Sequence, residues 1–317
     1  MSGRMAWLGL AALLLASGCA HRSDERLVVQ RELIGILPSI PGERTHFAYA
    51  QLEEAGEEQR LSVRLLAPDG SRQPVVHALE EDASDAVQKV RAGATVAEVL
   101  PAYLGVGLPA PTPPELPHAL GQPLEGMELR LEPVRDRRYP NTWALCLYHR
   151  GDFAELHRVF VPSGAELRLV ALTPDAAALA LRSESRDVRI HDLQAVDLLA
   201  GGRKLLVAQA SRAIDAGALQ HASALLLRAE LLGAPEEGEL WFEKARLYAR
   251  RGEGAERVAS ALARAIPFEP ALYRMRARTE PAFEALRGDT TFADFVAPRP
   301  LPGRDRAVQI STPPRAP

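Results

Sequence analysis

The C-terminal third of this chain repeats itself. Gly217 aligns with Gly252, Ala229 with Ala265 and Pro235 with Pro270, at offsets of 35, 36 and 35 residues. A period of that length is restrictive, because one such unit cannot bury its own apolar face and must stack on a neighbour. The small and apolar positions of the first unit run Leu206, Ala210, Ala213, Ala222, Leu226 and Ala229. Those of the second run Trp241, Ala245, Tyr248, Val258, Leu262 and Ala265. These are helical spacings. From Lys204 the chain therefore reads as helix–turn–helix pairs, each first helix ended by a glycine that takes positive φ without a Cβ penalty.

The pattern resembles the tetratricopeptide repeat, a helical hairpin of about 34 residues. Trp241, Ala245 and Tyr248 fill that family's Trp, small and Tyr places, Ala222, Ala229 and Ala265 its small packing positions, and Pro235 and Pro270 close the units. The chain departs from the family by one inserted residue after Gly252 and by lacking Trp and Tyr in the first unit. The stretch "EPAFEALRGDTTFADFV" resembles the closing element after the last repeat in bacterial members, with Phe283, Leu286, Phe292 and Phe295 sealing the stack. The resemblance implies a module over 204–296 that binds a protein or peptide along a concave face. Trp241, Tyr248, Leu226 and Leu262 are its candidate contact residues. Bracing the preceding domain is the other role open to it. Residues 297–317 form a Pro-rich tail whose composition predicts disorder.

Residues 27–200 carry a different period. Short apolar or alternating runs at 27–29, 33–37, 45–52, 61–66 and 74–79 predict strands, with turns at Pro41-Gly42 and Pro68-Asp69-Gly70. Leu61, Val63 and Leu65 alternate with Ser62 and Arg64, the period of a half-buried strand. Residues 83–104 read as helical. The segment 108–124 holds six prolines and reads as an extended loop. Strands resume at 127–131, 142–148, 156–161 and 166–172.

A faint echo links the run from Phe47, "FAYAQLEEAGEEQRLSVRLL", with the run from Leu179, "LALRSESRDVRIHDL". Each is turn, strand, charged turn, strand. The echo resembles the strand pairs of propeller-type sensor and secreted proteins, but Ala176 replaces their glycine and two echoes are too few for a closed propeller. Thr173-Pro174-Asp175 is also a fair helix start; a strand is the favoured reading. The expected fold class is α+β, a β-rich domain over 27–200 followed by the helical hairpin stack.

The N-terminus gives a location. Arg4 precedes an uncharged run from Ala6 to Ala16, shorter than the roughly 20 apolar residues that span a bilayer. A positive start, a short apolar core and small residues at a cut site mark a secretory signal. Ala16-Ser17-Gly18-Cys19 resembles the lipobox of bacterial lipoproteins, with Ala16 where that family most often has Leu. The resemblance implies a signal peptide over 1–18, a lipid on Cys19 and a polar tether over 19–26. With Ala20, rather than Asp, after the cysteine, the resemblance to Gram-negative lipoproteins implies an outer-membrane site facing the periplasm. Cys146 is then alone, in an apolar run that predicts a buried strand thiol.

Chemistry is sparse. The chain has no Cys-x-x-Cys, no His-Glu-x-x-His, no Gly-x-Ser-x-Gly and no phosphate loop. Gly105-Val106-Gly107 lacks the rest of a dinucleotide fingerprint, and a net charge of −3 gives no general attraction to nucleic acid. His149 and His157, near Asp152 and Glu155, are expected around a water-exposed hairpin turn rather than on a metal. His191-Asp192 has no nucleophile beside it. The expected function is therefore a non-catalytic, lipid-anchored envelope protein that interacts with a protein or peptide, without cofactor or metal. The alternative is a ligand sensor or enzyme whose site lies in the β-rich domain, which His149, His191 and acidic residues meeting in one pocket would favour.

Overall fold

The computed structural model describes residues 28–37, 44–55, 58–70, 72–79, 113–135, 138, 140–184, 189–233 and 238–297. The expected signal peptide over 1–18, Cys19, the expected tether, the expected helix over 83–104 and the residues beyond 297 lie outside them. The architecture is α+β: strands come first and helices follow.

One compact unit holds residues 1–114, 135–142 and 160–196. Its sheet has seven strands: β1 (Val28–Leu37), β2 (His46–Ala55), β3 (Glu58–Leu66), β4 (Arg72–Leu79), β9 (Glu166–Leu172), β10 (Ala176–Glu184) and β11 (Arg189–Asp197), in the order β4-β3-β2-β1-β11-β10-β9. Two antiparallel meanders are joined along a parallel pair, with Val28 opposite Arg189 and Gln30 opposite His191. The echo noted in the sequence falls on the hairpins β2–β3 and β10–β11. Residues 176–184 are strand, as favoured, and Thr173-Pro174-Asp175 is the turn before it. The turn is tied by Thr173 N–H to the Ala176 carbonyl at 2.9 Å. Asp175 then accepts from the Thr45 amide at 2.9 Å, the Thr45 hydroxyl at 2.5 Å and the Thr173 hydroxyl at 2.9 Å. Burial works against its charge, yet the Thr45 and Thr173 bonds prevail and hold its carboxyl below the usual carboxylate range. Phe47, Tyr49, Leu66 and Leu193 are buried in this unit's core.

The other unit holds residues 115–134, 143–159 and 197–317. It combines a four-stranded sheet, β5 (His118–Ala119), β6 (Glu128–Pro133), β7 (Thr142–His149) and β8 (Asp152–Phe160), in that spatial order, with the helices. These are α1 (Leu198–Asp215), α2 (Leu219–Leu231), α3 (Gly238–Arg250), α4 (Ala255–Ala265), α5 (Pro270–Thr279), a 3₁₀ turn (Pro281–Leu286) and α6 (Thr290–Val296). The compact units do divide at 196/197, close to the expected break near residue 200, but the segments 115–134 and 143–159 fall with the helices. The small sheet belongs with the helices because α1 lies directly on it. A Cβ on Gly201 would stand 1.9 Å from Leu156 Cδ2, and one on Gly202 would stand 2.5 Å from Leu124 Cδ2. The pair Gly201-Gly202 looks like a helix breaker, yet it lies inside α1, where it lets the helix reach the sheet. The helix accordingly begins at Leu198, before the expected Lys204, with Asp197 capping the Ala200 amide at 2.9 Å. The Pro-rich segment is likewise more than a linker: it supplies β5 and buries Leu120 and Leu124.

The helical repeat holds at the level of single hydrogen bonds. In α1 the Ala218 amide donates to the Ala213 carbonyl and the Gly217 amide to the Ile214 carbonyl. In α3 the Glu253 amide donates to Tyr248 and the Gly252 amide to Ala249. Both are Schellman ends, with Gly217 at φ +74° and Gly252 at φ +70°. The inserted residue is absorbed just after the second turn, where Gly254 precedes α4 at φ +84°. Pro270 opens α5 at its first turn rather than closing the unit before it, consistent with its fixed φ and missing N–H. Pro235 lies outside the described residues. Phe283 and Phe292 are buried at the end of the stack, with Leu286 and Phe295 packed against them.

Candidate functional site

The four residues suggested as partner contacts occupy two kinds of place. Leu226 and Leu262 are buried, and Trp241 is only 6% exposed. They hold the hairpins together, as apolar positions at helical spacing do, and offer a partner no surface. Arg264 and Lys244 cover the Trp241 ring, at 4.2 and 4.5 Å from its centroid. Tyr248 is half-buried under Arg257, 4.5 Å above its ring.

The open surface lies elsewhere on the same helices. A cavity of about 450 Å³ is lined by Lys204, Val207, Ala208, Ser211 and Arg212 from α1 and Glu239 from α3. Two of its polar walls are fixed by an ion network, the Ser211 wall by the buried Arg246 and the Glu239 wall by the half-buried Arg276. Arg246 donates to Ser211 Oγ at 2.8 Å, to Glu243 Oε2 at 2.7 Å and to Asp215, and its Nε stands 3.0 Å from Glu280 Oε1. Arg276 grips Glu239 with both Nη atoms, at 2.5 and 2.9 Å, and stands 3.7 Å from Glu243 Oε1. It also lies 4.0 Å above the Phe242 ring. Glu243 is 2% exposed. Burial pushes its carboxyl up against the pull of Arg246 and Arg276. Arg276 is held above the ordinary guanidinium range, chiefly by its bond to Glu239.

The line Ser211–Arg246–Glu243–Arg276–Glu239 therefore runs from one wall of the cavity to the other and crosses α1, α3 and α5. Lys204, exposed beside it, has no partner among the described residues. Apolar periodicity does not mark these charged residues. A signal was present: Glu243 and Arg246 stand three apart between the core residues Phe242, Ala245 and Leu247 of α3. Charges there are either misplaced or paired.

The β-region candidates separate. His149 was expected to face water; it is 4% exposed, with Nδ1 2.7 Å from Gln209 Oε1. The turn beside it is the expected hairpin, with Arg150 at φ +50° and Gly151 at φ +86°. Asp152 accepts from Gln209 Nε2 and from Arg212, each at 2.7 Å. Glu155 instead pairs with Arg158 at 2.6 Å. His191 is buried in the other unit, and the adjacent Asp192 accepts from Arg31 at 2.6 Å. The two histidines line different cavities. No three His, Cys, Asp or Glu side chains gather to hold a metal among the described residues. Cys146 lies buried in β7, and burial, before any charge, pushes its thiol up to about 12. None of the described helices is long and apolar enough to cross a membrane.

Compared with known proteins, the chain matches no family model, no curated protein and no solved structure.

Proposed function

We propose that this is a lipid-anchored protein of the bacterial cell envelope that works without catalysis, by holding a protein or peptide partner on the α1/α3 face of its helical module. Cys19 carries the lipid, and the outer membrane facing the periplasm is its place. The tetratricopeptide resemblance supplies the mode of binding.

The observation that carries the reading is the cavity over Lys204, Ser211, Arg212 and Glu239, where Arg246 holds Ser211 and Arg276 holds Glu239 in place. A polar surface fixed in advance loses little freedom when a partner docks, which favours binding. A brace for the β region would need no such surface.

A photo-crosslinking residue at Ala208 tests it in the native host, with Leu227 on α2 as the control position. Ala208 should capture one defined protein, and Leu227 should not. Lys204→Glu should abolish the adduct. Cys19→Ala should move the protein from the membrane to the soluble fraction. Equal capture at both positions would refute the groove, and unchanged membrane recovery of Cys19→Ala would refute the anchor.

A further inference from the structure

A second cavity, unused by the groove, lies at the turn between β7 and β8. It has a volume of about 300 Å³ and is lined by Gln122, Glu125, Gly126, His149, Arg150 and Arg228. His149 is held at its wall in one defined tautomer. Gln209 Nε2 donates to the His149 carbonyl at 2.9 Å and to Asp152 Oδ2 at 2.7 Å. Its Oε1, 2.7 Å from His149 Nδ1, is therefore the acceptor. Two acceptors do not face one another at that distance, so Nδ1 carries the proton and Nε2 of the neutral ring is a bare lone pair. Arg212 closes the far end of the chain on Asp152 at 2.7 Å. Asp152 is held below the usual carboxylate range, first by the Gln209 bond and then by Arg212.

Three side chains, Gln209 and Arg212 of α1 and Asp152 of β8, thus orient one imidazole nitrogen. That nitrogen meets no protein partner among the described residues and is not sealed away, although the residue as a whole is buried. The cavity is also cationic. Arg150 and Arg228 face a single acid, Glu125, whose carboxylate already accepts from Gln122 at 2.5 Å. Arg228 also donates to the Glu125 carbonyl. Arg150 has no partner among the described residues and holds φ +50°, a place where a hairpin turn ordinarily puts Asn, Asp or Gly.

We infer that this cavity binds a small oxyanion, the carboxylate or phosphate group of a low-molecular-weight ligand, between Arg150, Arg228 and His149 Nε2. The guanidinium groups give charge-assisted bonds to the anion. The arginines carry the anion's charge, and the Nε2 lone pair accepts from an O–H on the same ligand, such as the P–OH of a phosphate group or a neighbouring hydroxyl.

The test uses the full chain, titrated with inorganic phosphate and separately with acetate, at ionic strength held constant with chloride. The His149 ring nitrogens are followed by NMR and assigned with His149→Gln. A saturable shift at Nε2, larger than at Nδ1, is expected. Arg150→Asn removes the cation and suits the left-handed turn, so the fold is not endangered; it should weaken binding about tenfold, as should Arg228→Gln. Saturation by one anion only identifies the group that the site takes. Shifts that never saturate with either anion would overturn the inference. So would saturable shifts of unchanged affinity in both arginine variants.

Discussion

Gly201 and Gly202 allow a test in which the distances and their surroundings point in opposite directions. Alanine at a helical glycine gains about 1 kcal/mol of intrinsic propensity. Against that, the new Cβ at 201 would meet Leu156 Cδ2 at 1.9 Å and its Cγ at 3.3 Å. At 202 it would meet Leu124 Cδ2 at 2.5 Å, Leu232 Cδ1 at 3.2 Å and Met127 Sδ at 3.5 Å. Distance alone ranks 201 as worse. The neighbours reverse that order. Leu156 is half-buried on β8, an edge strand, and one rotamer change carries its tip away. Leu124, Leu232 and Met127 are buried and close on position 202 from three side chains at once. Overpacking of that kind costs about 1–3 kcal/mol. Gly202→Ala should therefore lose up to about 2 kcal/mol net, and more than Gly201→Ala, which should be near neutral or stabilising by up to about 1 kcal/mol. Urea unfolding followed by helical circular dichroism measures both, with an unchanged m-value showing that only stability moved. Leu124→Ala, itself costing about 2–5 kcal/mol, sharpens the test, because adding Gly202→Ala to it should restore stability. If Gly201→Ala proves the more damaging, or Gly202→Ala costs the same with and without Leu124→Ala, the packing argument fails.

The buried ions make a related expectation. Arg246→Ala leaves Glu243 with Arg276 alone, at 3.7 Å, and should cost about 3–5 kcal/mol. Arg246→Met combined with Glu243→Leu should recover most of it; a loss below about 1 kcal/mol for the single variant would show that the network is not structural. Asp175 has its pKa depressed in the fold, so its contribution is present above the unfolded value near about 3.9 and is lost as pH falls through the lower folded one. Asp175→Asn should lower stability at neutral pH and flatten its acid slope below about pH 4 in an equilibrium titration; an unchanged slope would contradict the Thr45 and Thr173 bonds. Cys146, with its thiol pushed up to about 12, should resist iodoacetamide at about pH 8 in the Cys19→Ala background until denaturant is added. Rapid labelling of the native protein would place the thiol in a different environment.

What the sequence made legible is local and periodic. The small and apolar positions of the repeat are buried except for Tyr248, because a packed helical hairpin admits few residues at those places. The glycine ends recur because a Schellman turn needs positive φ at one residue, and Gly217 and Gly252 supply it. The strand at 176–184 is less legible, because Thr173, Pro174 and Asp175 also suit the start of a helix. Bonds from Thr45, which is 130 residues away in sequence, hold Asp175 in a turn instead. That kind of partner is invisible to a window of neighbours. The same reason hid both candidate sites. Arg246 reaches Ser211 across 35 residues, Arg276 reaches Glu239 across 37, and Gln209 reaches His149 across 60. Read locally, His149 is a polar residue beside a turn, and water is its expected neighbour. Once α1 lies on the small sheet through its two glycines, Gln209 and Arg212 stand over that turn, and the histidine gains a fixed tautomer and an open nitrogen. Close packing at Gly201 and Gly202 thus comes first in the causal order, and the polar chemistry at Asp152 and His149 follows from it.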